Sequence, residues 1–327
     1  MKFIDMHCDT LMEMAKLRSK PGETLGKNSC GVDFEGMKHG GSLAQFFAVF
    51  LASGEAFEHF GMEALADDVY IKALYEIFTK DIAANAGMIS FARSYSDLLE
   101  NEKNGKMSAF LTFEDGRAID GSLDKLKMYY DMGFRLITLT WNSKNCFGSP
   151  NSDDAQIMKE GLTGFGHQAV EAMNELGMIV DVSHLSDGGF WDVVKTCKKP
   201  FVASHSNARA LSPHRRNISD DMIKALADAG GCMGICFVPQ FLDSKMSTEN
   251  STVKDMVAHA LHIKNVGGIN CVALGSDLDG TNGNLEINNI AKMPLLLDAL
   301  KNAGFTHAEL EAVAYGNALR VIKESMK

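Results

Sequence analysis

Short apolar runs alternate with stretches of helical period along most of the chain. The runs are residues 2–6 (KFIDM), 43–52 (LAQFFAVFLA), 107–113 (MSAFLTF), 135–141 (RLITLTW), 178–183 (MIVDVS), 200–204 (PFVAS), 232–238 (CMGICFV) and 271–276 (CVALGS). Near-continuous apolar character predicts strands covered on both faces, as in a parallel sheet. Between them lie segments such as residues 122–133, where Leu123, Leu126, Met128, Tyr129 and Met132 form a stripe that stops at Gly133. Eight strands with helical crossovers predict an α/β fold, a closed (β/α)8 TIM barrel, in one domain over residues 1–327.

Two longer segments interrupt the alternation. Residues 54–88 carry Leu65, Val69, Leu74, Ile77, Phe78 and Ile82 among acidic residues, which predicts a covering helix, with a mobile lid as the alternative reading. The stretch Ser204 to Asn217 follows a strand without helical period and holds His205, His214, Arg215 and Arg216, as a ligand-carrying barrel loop would.

Composition narrows the class. The 327 residues are 46% hydrophobic and 23% charged with no Pro-rich or Ser-rich linker, enough for one large core. A formal charge of -10 argues against nucleic acid, whose phosphates call for clustered Lys and Arg. Neither a basic leader with an apolar core nor an uninterrupted apolar run of about 18 residues is present, so a cytoplasmic protein without a membrane segment is expected. Seven scattered cysteines predict thiols that are for the most part buried, and Cys232 and Cys236, four apart, read as core packing before metal binding.

Candidate chemistry stands where the predicted strands end. His7 and Asp9 are two apart, so on a strand they share a face, and Cys8 between them points away into packing. Glu114 follows the third run, His184 the fifth, His205 the sixth and Asp277 the eighth. In a TIM barrel these ends face one mouth. The set suits two Zn²⁺ ions: one on His7, Asp9 and Glu114, the other on His184, His205 and the same bridging Glu114. Two such ions can hold a hydroxide and polarise a carbonyl, which is hydrolysis. Glu114 is thereby part of the catalytic machinery, and Asp277, left over, suits a proton shuttle to a leaving amine. His39, His59, His167, His259, His262 and His307 fall in loops or helical patterns and read as surface or structural, and Asp279 as a turn residue before Gly280.

The ordered segments DMHCDT (5–10), FEDG (113–116), GFRLITLTWN (133–142), DVSHLS (181–186), SHSNAR (204–209), RRN (215–217) and GSDLDG (275–280) resemble the membrane (renal) dipeptidase family, binuclear zinc peptidases of the amidohydrolase superfamily. The resemblance implies hydrolysis of dipeptides, some with a C-terminal D-residue, by an enzyme that forms a homodimer. It maps His7, Asp9, Glu114, His184 and His205 as metal ligands, Asp277 as acid/base and substrate contact, and Arg216 as clamp for the substrate carboxylate. A guanidinium gives two parallel hydrogen bonds to a carboxylate, which fits that role. One position departs from the pattern: where better-known members carry a histidine that stabilises the oxyanion, this chain has Trp141, and the adjacent Asn142 amide is the candidate substitute donor. Two other readings stay open. One is a barrel hydrolase for another small amide such as an N-acyl amino acid, and the other an inactive barrel that binds a metal or ligand.

Overall fold

The computed structural model describes residues 1–17, 20–51, 57, 64–246 and 249–326. Its strands are β1 (Phe3–Cys8), β2 (Ser42–Phe50), β3 (Ile89–Phe91), β4 (Met107–Glu114), β5 (Phe134–Thr138), β6 (Ile179–Asp181), β7 (Val202–Ala203), β8 (Cys232–Ile235), β9 (Asn250–Ser251), β10 (Val272–Leu274) and β11 (Asn284–Leu285). β1, β2, β4, β5, β6, β7, β8 and β10 pair in parallel in that order, and β10 closes on β1 through Asp5 and Leu274. This is the expected (β/α)8 barrel.

Three strands were not foreseen: β3, and the two-residue strands β9 and β11, which pair with each other apart from the barrel. β3 pairs with Met107–Ala109 at the start of β4, on the side that β5 occupies only from Leu111 onward. It satisfies backbone groups that would otherwise face an uncovered edge. The segment before it contains the expected covering helix, Asp67–Ala84, which buries Tyr70, Ile71, Leu74, Phe78 and Ile82. The part of the lid reading that falls on residues 54–63, other than Phe57, lies outside the described residues.

Several strands are shorter than the apolar runs. Trp141, Ser183, Ser204, Val238 and Ser276 all fall beyond the last residue of their strands. Polar side chains there bond to one another instead of lying along a ladder. The backbone also turns left-handed at Asp115 (φ 76°), His184 (φ 67°), Asp277 (φ 61°) and Asp279 (φ 71°), which ends regular pairing. The helix Leu123–Met132 is capped by Ser122 and by Gly133 at φ 110°, as its sequence suggested, but only part of its stripe is buried. Leu126 and Tyr129 face the core, whereas Leu123 and Met128 are 43% and 46% exposed.

Two apolar layers hold the barrel. Phe47, Leu111, Ile137, Val180, Met233 and Leu274 join Leu126, Met173, Val193, Ile223 and Ile263 of the surrounding helices in an outer core. Their alternate neighbours Phe46, Phe110, Leu136, Ile179, Val202, Cys232 and Ala273 form an inner core with Ile4 and Met6. Ala318, Val321 and Ile322 of the C-terminal helix Asn317–Ser325 belong to that inner cluster and close one end of the barrel. Two residues further along the strands the inner positions become Thr112, Thr138, Asp181, Ser204, Gly234 and Gly275. The interior thus changes from apolar to polar toward the mouth. Gly275 is required there: a Cβ would stand 1.7 Å from the Ser204 carbonyl oxygen.

Candidate active site

β1 shifts register between Asp5 and Cys8. Met6 packs in the inner core, Cys8 in the outer one with its thiol 3.5 Å from the Phe46 carbonyl, and His7 stands in the mouth. The packing role expected of Cys8 follows. His7 Nε2 lies 3.4 Å from Asp9 Oδ2, 3.4 Å from Glu114 Oε2 and 3.8 Å from Asp277 Oδ1, all of them buried. Glu114, the last residue of β4, turns its other oxygen to a second set. Oε1 is 2.9 Å from His184 Nε2 and 3.6 Å from His205 Nε2, and those two nitrogens are 3.1 Å apart. The five predicted metal ligands therefore meet as two groups sharing one carboxylate.

Neighbouring side chains decide which ring nitrogen each histidine offers. Ser204 Oγ donates to Asp181 Oδ2 at 2.5 Å and so accepts from His205 Nδ1 at 2.8 Å, leaving the His205 Nε2 lone pair free. Asp181 in turn takes Thr138 Oγ1 and the Ser183 and Ser204 backbone N–H groups. Asn142 Oδ1 accepts from His184 Nδ1 at 3.2 Å, with the same result for His184. Asn142 thus orients a candidate ligand, and only its amide nitrogen remains for the donor role read from the sequence.

Electrostatics favour a cation at the centre. Burial opposes charge on His7, yet the Asp9 and Glu114 carboxylates outweigh it and hold His7 well above its ordinary pKa. Burial and the Glu114 charge raise Asp9 well above the usual carboxylate range. Burial and the Arg216 charge bring His184 down to about 3, and burial with His7 lowers His205 well below the usual imidazole value. Neutral imidazoles with aimed lone pairs are what a metal takes. Among the described residues, His7 Nδ1, His7 Nε2 and Asp9 Oδ1 are buried without a hydrogen-bond partner. His7, Glu114 and His205, and also His7, Asp9 and Asp277, bring donor atoms within 4.8 Å of one another. The residues fit a resident divalent metal.

Asp277 is held at its left-handed position beside this cluster, its carboxyl pushed up to about 6 chiefly by burial. Its Oδ2 accepts from the Cys236 thiol at 3.5 Å. Core packing therefore describes Cys232, whose sulfur is 3.9 Å from Met6 Sδ, but not Cys236, which reaches the site. A Cβ on Gly280 would lie 2.1 Å from Asp9 Oδ2 and 2.5 Å from Asp277 Oδ1, so glycine there lets the two carboxylates approach. Asp279 is more than a turn residue, since it accepts from Thr10 Oγ1 at 2.5 Å and from the Gly31 N–H at 2.6 Å.

The two neighbouring arginines differ in what they hold. Arg215 is committed to Asn151 at 3.1 Å and to Asp153. Arg216 is buried, 5.2 Å over the Phe241 ring, with long contacts to Ser206 Oγ (3.5 Å) and the His205 carbonyl (3.3 Å) and an unpartnered Nε. A buried guanidinium so weakly satisfied suits an anionic ligand. The mouth is a cavity of about 280 Å³ whose lining includes Asp9, Glu114, His184, Asp277, Trp141 and Asn142. The six metal and acid/base candidates meet at this mouth, Arg216 stacks on Phe241, which lines it, and Trp141 and Asn142 form part of its wall. Sequence reasoning did not assign the support given by Asp181, Ser204, Cys236 and Gly280, although the polar runs DVSH and SHS carried a signal.

The described histidines outside the site are structural or peripheral: His259 bridges the Ala208 N–H and the Leu242 carbonyl, and His262 pairs with Asp220 at 2.7 Å. His59 lies outside the described residues. Among the described residues no helix is long and apolar enough to cross a membrane.

Comparison with known proteins places this geometry among relatives. Residues 1–327 match the profile of membrane dipeptidase, peptidase family M19. The chain is 33% identical over 249 residues to an uncharacterised protein from the pqqA 5' region of Klebsiella pneumoniae, covering 74% of this chain and 91% of that one. It is 35% identical over 225 residues to an uncharacterised dipeptidase of Schizosaccharomyces pombe, covering 68% of this chain and 54% of that one. In fold it is similar to a metallo peptidase of Rhodobacter sphaeroides liganded with a phosphinate mimic of the dipeptide L-Ala-D-Ala, with a TM-score of 0.89, 24% identity and 99% of both chains covered.

Proposed function

The chain belongs to the membrane dipeptidase family of metallopeptidases, and on that premise we propose that it hydrolyses dipeptides with two zinc ions, one on His7, Asp9 and Glu114 and the other on Glu114, His184 and His205. The observation that carries this is the division of Glu114, whose two oxygens face two separate sets of donors. When bound, such a pair would supply Lewis acidity toward the scissile carbonyl and lower the pKa of the attacking water.

The chain's own side chains do the rest. Arg216 takes the substrate's C-terminal carboxylate and sets the length at two residues, because its guanidinium is buried and cannot follow a longer chain outward. Asp277 Oδ1, 3.8 Å from His7 Nε2, accepts the proton released by the attacking water and passes it to the leaving amine. The Ser204 and Asp181 relay and the Asn142 carbonyl hold His205 and His184 in the tautomers that leave Nε2 free. A clamp on backbone carboxylate reads little of the side chain, so C-terminal D-residues fall within the proposed range. The L-Ala-D-Ala mimic held by the Rhodobacter sphaeroides protein supports that extension.

Elemental analysis combined with turnover of L,L and L,D dipeptides tests the reading. Two zinc ions per chain and hydrolysis are expected, and Glu114→Gln should lose metal and activity together. Full activity with one zinc or none would sink it.

A further inference from the structure

Part of the cavity wall is apolar, and nothing in the proposed chemistry uses it. Phe50 ends β2 and Trp141 lies beyond β5, their ring centroids 4.8 Å apart and the planes at 73°. Met12, on the helix Thr10–Leu17, lines the same wall, and Trp141 stands 6.3 Å from the His184 ring. Around the barrel order β1, β2, β4, β5, β6, β7, β8, β10, Phe50 is carried by the second strand. Arg216 is carried by the loop after the sixth, which is diametrically across a ring of eight.

We infer that Trp141, Phe50 and Met12 form the subsite for the N-terminal side chain of the substrate, and that the enzyme selects dipeptides beginning with a large apolar residue. This rests on the dipeptidase reading. A dipeptide spans about 7 Å when extended, at roughly 3.5 Å per residue. With its carboxylate on Arg216 and its peptide bond beside Glu114, its first residue lies toward the indole and phenyl faces. Those faces offer dispersion contact to an apolar side chain that leaves water, and they carry no charge to reward a polar one. The residue at position 141 is thus a specificity element, placed where the family pattern has an imidazole.

The test is a series Xaa-Ala with Gly, Ala, Leu, Phe and Glu as Xaa, assayed for kcat/KM with the zinc-loaded enzyme. Leu and Phe are expected to exceed Gly by about tenfold or more, the scale on which a pocket distinguishes apolar groups. Trp141→Ala should collapse the Phe-to-Gly ratio by about tenfold, and Trp141→Phe should keep it within about threefold, which also guards against misfolding of the alanine variant. Equal kcat/KM across the series, or a ratio unchanged in Trp141→Ala, overturns the subsite while leaving the dipeptidase reading intact. Absence of turnover for every dipeptide overturns both.

Discussion

Arg215 and Arg216 are neighbours in the chain with different commitments: Arg215 is held by Asn151 and Asp153, whereas Arg216 is buried with a guanidinium that its surroundings satisfy only in part. Arg216→Ala should lower kcat/KM for dipeptides by about a hundredfold, the scale of a buried charge-assisted contact, with little loss for a neutral amide. A parallel assay of the two substrates checks this, and equal losses would argue for the N-acyl or other amide reading. His259 makes a prediction away from the site. Burial brings it down to about 4, and a proton on its Nδ1 would also break the hydrogen bond accepted from the Ala208 N–H. The unfolded chain, with its pKa near 6.5, binds that proton first. The stabilisation is therefore full above about pH 6.5 and is lost as pH falls toward 4, by up to roughly 3 kcal/mol. Urea melts across that window should be flatter for His259→Gln, whose amide can repeat both hydrogen bonds. Among the site residues, His7, Asp9, Glu114, His184, His205 and Asp277 were legible in the sequence because they stand at strand ends, where a barrel brings distant residues together, and all six meet in one cluster. What the sequence hid was their support: the thiol of Cys236 on Asp277 depends on a left-handed backbone at Asp277 that no residue pattern announces. Arg216 was separable from Arg215 only by family likeness, since two adjacent arginines in a loop look alike until their partners are known.

At the level of elements, the eight barrel strands were readable as apolar runs but their ends were not. The runs continue into Val182 and Phe237, which stay buried after the backbone has left the sheet. β3 escaped notice because three residues are too short to show a period, and its reason for existing is the late start of β5 beside β4. Leu123 and Met128 of the stripe on Leu123–Met132 face solvent because the helix touches the barrel along a narrower line than its apolar residues suggest. Gly275 was likewise unremarkable in sequence, yet the polar layer depends on it. Gly275→Ala forces a methyl into the Ser204 carbonyl and should destabilise the barrel by about 3 kcal/mol or more. Equilibrium unfolding of that variant measures the cost, and a change under about 1 kcal/mol would show that the Ser204 carbonyl can move aside without penalty.

For the whole molecule, buried carboxylates at Asp9, Glu114 and Asp277 share one small space, and a bound divalent cation should stabilise the fold as well as serve the reaction. Chelation is expected to lower Tm by about 5 °C or more, reversed by zinc, with a smaller shift in Glu114→Gln. Differential scanning calorimetry with and without chelator decides it. The change of the barrel interior from Phe46, Phe110 and Ile322 at one end to Glu114 and Asp277 at the other has a consequence for traffic. A tube stoppered at its floor has one doorway, so both amino acids must depart by the route the dipeptide entered. The fragment left on Arg216 stands in the path of the next substrate until it leaves, and free amino acids should accordingly compete with dipeptides for entry.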